Sequence, residues 1–167
     1  MKSNTLRLSI FAIFAALYAV GVVVLAPISF GVYQVRVADI FLPLSMIFGL
    51  PSALGFGLGA AISNIYGGLG IVDVVGGSVA NIVACTLAWY ISKNGNIKNR
   101  FIGSILETLT ISIIVGLYLA TLFQVPLEIG LVGVMIGSII SINICGFPLE
   151  EILRKNSFIK KFSENNE

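Results

Sequence analysis

With 167 residues, 57% hydrophobic side chains, only 11% charged ones and no histidine, the chain is too apolar for a soluble globular domain. Its mean hydropathy of +1.00 and net charge of +2 point to an integral membrane protein with no nucleic-acid partner. The hydrocarbon layer takes about 20 helical residues to cross, so one bundle of six spans uses up the chain and leaves no soluble catalytic domain.

Breaks in the hydrophobic pattern predict a single membrane domain over 1–167, with helices at about 5–26, 37–50, 51–66, 74–92, 101–122 and 128–147 and a charged tail at 150–167. The first apolar run, Leu8 to Ala26, follows two cations, but no small-x-small cleavage site precedes a polar region, so a span rather than a signal peptide is expected. On it, Ala12, Ala16 and Ala19 form one small-residue stripe, and Ala15 with Ala19 a second. Such spacing suits either internal packing or docking on another membrane protein.

The stretch from Phe30 to Asp39 then sets Tyr33, Gln34, Arg36 and Asp39 between apolar runs. Arg36 and Asp39 share a helix face three residues apart and can pair with each other at the interface. Ionisable groups at membrane depth are costly enough to face a cavity or a partner, so a polar pocket is the alternative. The second and third spans are short and meet at Gly49-Leu50-Pro51, where proline can open a helix. Asn64 to Asp73 follows, with Tyr66, Asp73 and three glycines, Gly67, Gly68 and Gly70, that permit close backbone approach or a plain flexible turn. Asn81 lies two turns beyond Asp73 and can extend the polar surface inward or bond another helix. Gly55, Gly57 and Gly59 on the third span read as internal packing.

Glu107 falls two turns inside the fifth helix, as an interhelical hydrogen bond or a functional group. Glu128 falls at the start of the sixth, where the helix dipole favours a negative charge. Cys85 and Cys145 lie in apolar runs without metal-ligand spacing and read as packing, so no metal and no cofactor are expected. No phosphate-binding loop is present, and so no ATP site of its own.

Given six spans, Lys2, Arg7, Lys93, Lys98, Arg100, Arg154, Lys155, Lys160 and Lys161 fall on one side and Arg36 alone on the other. The positive-inside rule makes the first side the cytoplasm, with both termini in it and the protein multi-pass in the plasma membrane, in contact with membrane lipid. The two halves share neither polar residues nor glycine spacing, which argues against an inverted-repeat secondary transporter.

Leu17-Tyr18-Ala19, Ala26 to Gly31, Gln34-Val35-Arg36-Val37-Ala38-Asp39, Gly68 to Ser78 and Gly146-Phe147-Pro148-Leu149 resemble the QueT family, regarded as substrate-binding (S) components of energy-coupling factor (ECF) transporters. The resemblance implies an all-α, six-helix S-component bundle that takes up a vitamin-like small molecule. It also implies docking of Ala12, Ala15, Ala16 and Ala19 on a transmembrane coupling subunit driven by two ATPase subunits. The implied substrate is a queuosine precursor, 7-aminomethyl-7-deazaguanine. Asp39 and Asp73 suit its cationic aminomethyl group and donor edge, Gln34 and Arg36 its carbonyl and ring nitrogens, and Tyr33 or Tyr66 its ring face. Asn64 and Asn81 complete the set. Later helices, which also line S-component pockets, offer Thr108, Thr110, Ser112, Ser138, Ser141 and Asn143. A non-transporting membrane scaffold and a self-sufficient secondary transporter are the competing readings. An integral-membrane enzyme is disfavoured because no acid and nucleophile cluster at a defined spacing.

Overall fold

The computed structural model describes residues 2–31, 34–156 and 159, and among them every regular element is helical. Helix α1 spans Lys2–Val24 and the single turn α2 Ala26–Ser29. A 3₁₀ segment, Val37–Leu44, runs into α3, Ser45–Phe48. Then come α4 (Leu50–Gly67), α5 (Ile71–Ser92) and α6 (Ile97–Leu122). The last run is α7 (Leu127–Ser138), a π-helical segment (Ile139–Gly146) and α8 (Phe147–Arg154). The helical path beginning at Leu127 thus passes the boundary expected near 147 and reaches Arg154. Pro148 lies within this path, directly after the π segment, and the helix continues through it.

Four helices, Asn4–Val24, Ile71–Ser92, Ile97–Leu122 and Leu127–Arg154, are long and apolar enough to cross a membrane, and Val37–Phe48 is a shorter apolar helix. Their side chains are distributed as lipid-facing helices require. Large aliphatics such as Ile13, Val20, Ile65, Val72, Ile136 and Ile144 point outward, whereas alanine and polar residues fill much of the interior. Without water to drive helices together, close approach at small residues supplies the packing. A Cβ built on Gly55 would lie 2.5 Å from the Phe11 carbonyl oxygen, and one on Gly59 2.7 Å from that of Ala15, so α1 and α4 touch backbone to backbone. A Cβ on Gly130 would lie 2.6 Å from the Gly116 carbonyl oxygen, which makes the same contact between α7 and α6.

Two departures from α geometry face each other inside the bundle. At about 2.0 Å of rise per residue against 1.5 Å, the eight residues of the 3₁₀ segment reach about 16 Å instead of 12 Å. This lets a short run carry Asp39 and Ser45 deep into the protein. The π segment packs along it at Gly146, where a Cβ would come within 2.8 Å of the Ile40 carbonyl oxygen and 3.0 Å of Pro43.

Connections at one end of the bundle are 30–36, 68–70 and 123–126, and at the other Gly49, 93–96 and the segment after Arg154. Among the described side chains, Arg7, Lys93, Lys98, Arg100, Arg154 and Lys155 belong to the second end and Arg36 to the first. Lys160 and Lys161 lie outside the described residues.

Candidate functional site

The polar stretch around Arg36 is folded inward. The Val35 N–H bonds the Ile28 carbonyl at 3.0 Å and the Asp39 N–H that of Arg36 at 2.9 Å, turning the chain into the 3₁₀ segment. Where it crosses α7, a Cβ on Gly137 would sit 2.0 Å from the Gln34 carbonyl oxygen, so only glycine admits the loop there. Gln34, Arg36 and Asp39 are consequently 5%, 6% and 3% exposed, which rules out a snorkelling surface pair.

Arg36 and Asp39 do not pair within 4 Å. Arg36 Nη2 instead stands 3.8 Å from Asp73 Oδ1, across the bundle on α5, and its guanidinium lies 5.7 Å from the centre of the Phe30 ring. At 3.8 Å the contact is coulombic and too long for a hydrogen bond. Arg36 Nε and Nη2 and Asp73 Oδ2 are buried without hydrogen-bond partners among the described residues. The two carboxylates are held by tyrosines: Tyr18 donates to Asp39 Oδ1 at 2.6 Å and Tyr118 to Asp73 Oδ1 at 2.8 Å. Asn64 donates to the Asp73 carbonyl oxygen at 2.8 Å, while its own Oδ1 is unpartnered. Gly77 makes room for this junction, since a Cβ there would meet Asn64 Nδ2 at 2.4 Å and Tyr118 Oη at 3.5 Å.

Gln34, Arg36, Asp39, Asn81 and Ser138 supply the polar lining of a cavity whose other walls are Ile111, Val115 and Val134. Its water-accessible space is about 10 Å³, room for roughly one water. Asn81 donates to the Phe56 carbonyl at 3.4 Å, a long bond, and also lies against the Tyr18 hydroxyl. Chemically the cavity offers a forked cationic donor, a carboxylate acceptor and two amides against aliphatic walls. That set can clamp the edge of a small polar heterocycle.

The other sequence candidates divide. Asn64 and Asp73 lie behind Arg36 rather than in the cavity lining, and act on it through the guanidinium. Tyr66 is 65% exposed on α4 and away from the cavity, and Tyr33 lies outside the described residues. On α1 the small residues split: Ala15 and Ala19 are buried against Gly59 of α4, whereas Ala12 and Ala16 are exposed. Glu128 is exposed in the first turn of α7. Deeper, Thr108 donates to Asn143 at 2.7 Å and Asn143 to Ser104 at 3.1 Å, binding α6 to the π segment. Ser112 is tied to the Thr108 carbonyl at 2.6 Å, Thr110 is half-buried, and Ser141 is buried with an unpartnered hydroxyl. Cys85 is buried and Cys145 exposed.

Tyr18 and Tyr118, which hold both carboxylates, were not among the sequence candidates. Each is a lone phenol in an apolar helix, the one available signal. Ile111, Val115 and Val134 gave none, since an aliphatic residue in a span faces lipid or core with equal ease.

The end opposite Arg36 holds a second buried charge cluster. Arg100 Nε lies 2.6 Å from Glu151 and 3.7 Å from Glu150, Arg154 Nε lies 2.7 Å from Glu150, and Arg154 Nη2 donates to the Met46 carbonyl at 2.9 Å. Arg100 also donates to the Gly95 carbonyl. Beside it Lys93 Nζ sits 4.2 Å over Trp89 and 5.2 Å over Tyr90, an arrangement suited to a membrane interface.

Against known proteins, a family model described as QueT transporter matches residues 8–155. No curated protein and no solved structure matches the chain.

Proposed function

This chain belongs to the QueT transporter family, and we propose that it is the substrate-binding component of an ECF-type importer for 7-aminomethyl-7-deazaguanine or a closely related heterocycle. The observation that carries the reading is the buried set of Gln34, Arg36, Asp39 and Asn81 around one cavity, with donors on Arg36 that nothing among the described residues satisfies. In this reading Asp39 accepts from the aminomethyl cation, Arg36 and Gln34 meet the carbonyl and ring nitrogens, and Asn81 and Ser138 hold the far edge. Asp73, with Asn64, keeps Arg36 charged and aimed. A bicyclic ligand is larger than the present space, so binding requires the Gln34–Val35 backbone to lift from Gly137.

The bundle crosses the membrane six times in this proposal, with Val37–Phe48 and Leu50–Gly67 completing the four longer spans. The Arg36 end faces outward and the end rich in cations, with both termini, faces the cytoplasm of a plasma-membrane protein. Ala12 and Ala16, exposed on α1, form the surface offered to a coupling subunit that two ATPases drive. The chain itself performs no catalysis.

Thermal unfolding of the purified protein with added 7-aminomethyl-7-deazaguanine tests the reading. The midpoint should rise with ligand concentration in the parent and not in Asp39→Asn. A folded parent that no deazapurine stabilises, or an equal shift in Asp39→Asn, overturns the assignment. Uptake that requires co-expressed ATPase subunits, and not an ion gradient, is the corresponding test of the coupling.

A further inference from the structure

Glu107 lies ten residues into the 26-residue α6, about 15 Å along its axis at 1.5 Å per residue, and so away from either end of the helix. It is 0% exposed. Ser45 Oγ donates to its Oε1 at 3.2 Å and shares that proton with the Cys85 carbonyl at 3.3 Å, while Oε2 has no partner among the described residues. No cation comes within 4 Å of it among the described residues. The titratable groups that face it are Asp39 from the 3₁₀ segment, Cys85 from α5 and Glu150 from α8. None carries a positive charge, and the Cys85 thiol can add only a weak neutral donor.

A carboxylate in such a place would be an unpaired charge in hydrocarbon-like surroundings, and one shared neutral hydrogen bond returns far less than its desolvation costs. A hydrated ion cannot compensate it, since the carboxyl has no accessible surface to receive one. A proton needs no room.

We infer that Glu107 is a proton-binding site, occupied at neutral pH, in the middle of the bundle. The reaction is the dissociation of a carboxylic acid into carboxylate and proton, with no other reactant. Its position gives the site a consequence. Ser45, the hydrogen-bond donor to Glu107, continues the helical run that carries the cavity-lining Asp39, so losing the proton adds a second negative charge that acts on Asp39 and tightens the pull on that run.

Infrared spectroscopy of the purified full-length chain tests it. At pH 7 the parent should show a carboxylic-acid carbonyl band that shifts down on carbon-13 labelling of glutamate, is absent in Glu107→Gln and persists in Glu150→Gln. Ser45→Ala, which removes the hydrogen bond to the acid, should move the band to higher frequency, and supplies the readout if Glu107→Gln fails to fold. A parent without a glutamate-sensitive acid band at pH 7, a band unchanged in Glu107→Gln, or one unmoved in Ser45→Ala overturns the inference. So does stabilisation by sodium with no acid band, which would make the occupant a metal cation.

Discussion

Each end of the bundle buries arginine against carboxylates, yet the two clusters are built differently. At the cation-rich end, Arg100–Glu151 and Arg154–Glu150 close at 2.6 and 2.7 Å, Arg100 and Glu150 stand 3.7 Å apart with Glu150 Oε2 unpartnered among the described residues, and spare arginine donors go to the carbonyls of Gly95 and Met46. At the other end, Arg36 and Asp73 stop at 3.8 Å and leave guanidinium and carboxylate atoms unpartnered. This network, closed by two short ion pairs, joins α6, α8 and α3 and leaves only Glu150 Oε2 buried and unpartnered among its described side-chain atoms. An open one, fixed from behind by Tyr18, Tyr118 and Asn64, keeps its capacity facing a cavity. Buried charge at one end is therefore structural and at the other available for recognition.

Breaking the closed network should give the largest effect on stability. Arg100→Ala leaves Glu150 buried beside only Arg154, and removing one partner of a buried ion pair costs about 3–5 kcal/mol. Chemical denaturation should show that loss, whereas the midpoint shift produced by 7-aminomethyl-7-deazaguanine should be retained. Arg36→Ala also strips a buried carboxylate, Asp73, of its cation and should lower stability too, but unlike Arg100→Ala it should abolish the ligand-induced midpoint shift. Truncating one member of a desolvated charged contact costs about 2–5 kcal/mol of binding, at least about 30-fold in Kd, while the neighbouring Tyr18 and Tyr118 bonds keep the bundle folded. Equal effects of both substitutions on stability and on binding would erase the distinction between the ends.

The open network should also be sensitive to shape. Gly77→Ala brings a methyl within 2.4 Å of the Asn64 amide and must displace Asn64, with Tyr118 Oη at ordinary contact distance. Overpacking of this kind costs about 1–3 kcal/mol, and here it should weaken ligand binding more than it lowers the melting temperature, because the displaced group is one of those that aim Asp73 at Arg36. A loss confined to stability would mean that Asn64 serves packing alone.

How much of this was legible in the sequence depends on what kind of force set it. Composition and cation placement reported the membrane bundle directly, because desolvation acts on residue type whatever its partners. They also singled out Arg36, Asp39 and Asp73 for the same reason. The partner of Arg36 was not legible: local spacing favours Asp39, three residues away, whereas the chain reaches Asp73 through α4 and the turn at Gly68 and Gly70, whose φ of 72° and 98° lie in the region glycine prefers. The 3₁₀ and π segments were equally hidden, since an apolar run has no pattern that tells one helical rise from another. The alanine stripes were half legible. Four-residue spacing marked small faces, but which pair met Gly55 and Gly59 was decided by the rotation of α1 against α4.

The smallest effect separates two carboxylates inside the closed network. Glu150 is fully buried and lies within 4 Å of both arginines, whereas the Glu151 side chain keeps 18% of its surface and pairs with Arg100, beside Glu150. Glu151→Gln preserves an oxygen that can still accept from Arg100 and loses only the charge, close to the situation of a surface pair, so it should cost about 1 kcal/mol or less. The loss should fade as salt is raised, since that pair is open to screening. Glu150→Gln, by contrast, leaves two arginines facing a neutral amide and should cost several times more, with little dependence on salt. Similar losses and similar salt dependence for the two variants would mean that the network behaves as one exposed patch, and the contrast with the Arg36 end would then rest on geometry without a difference in burial energy.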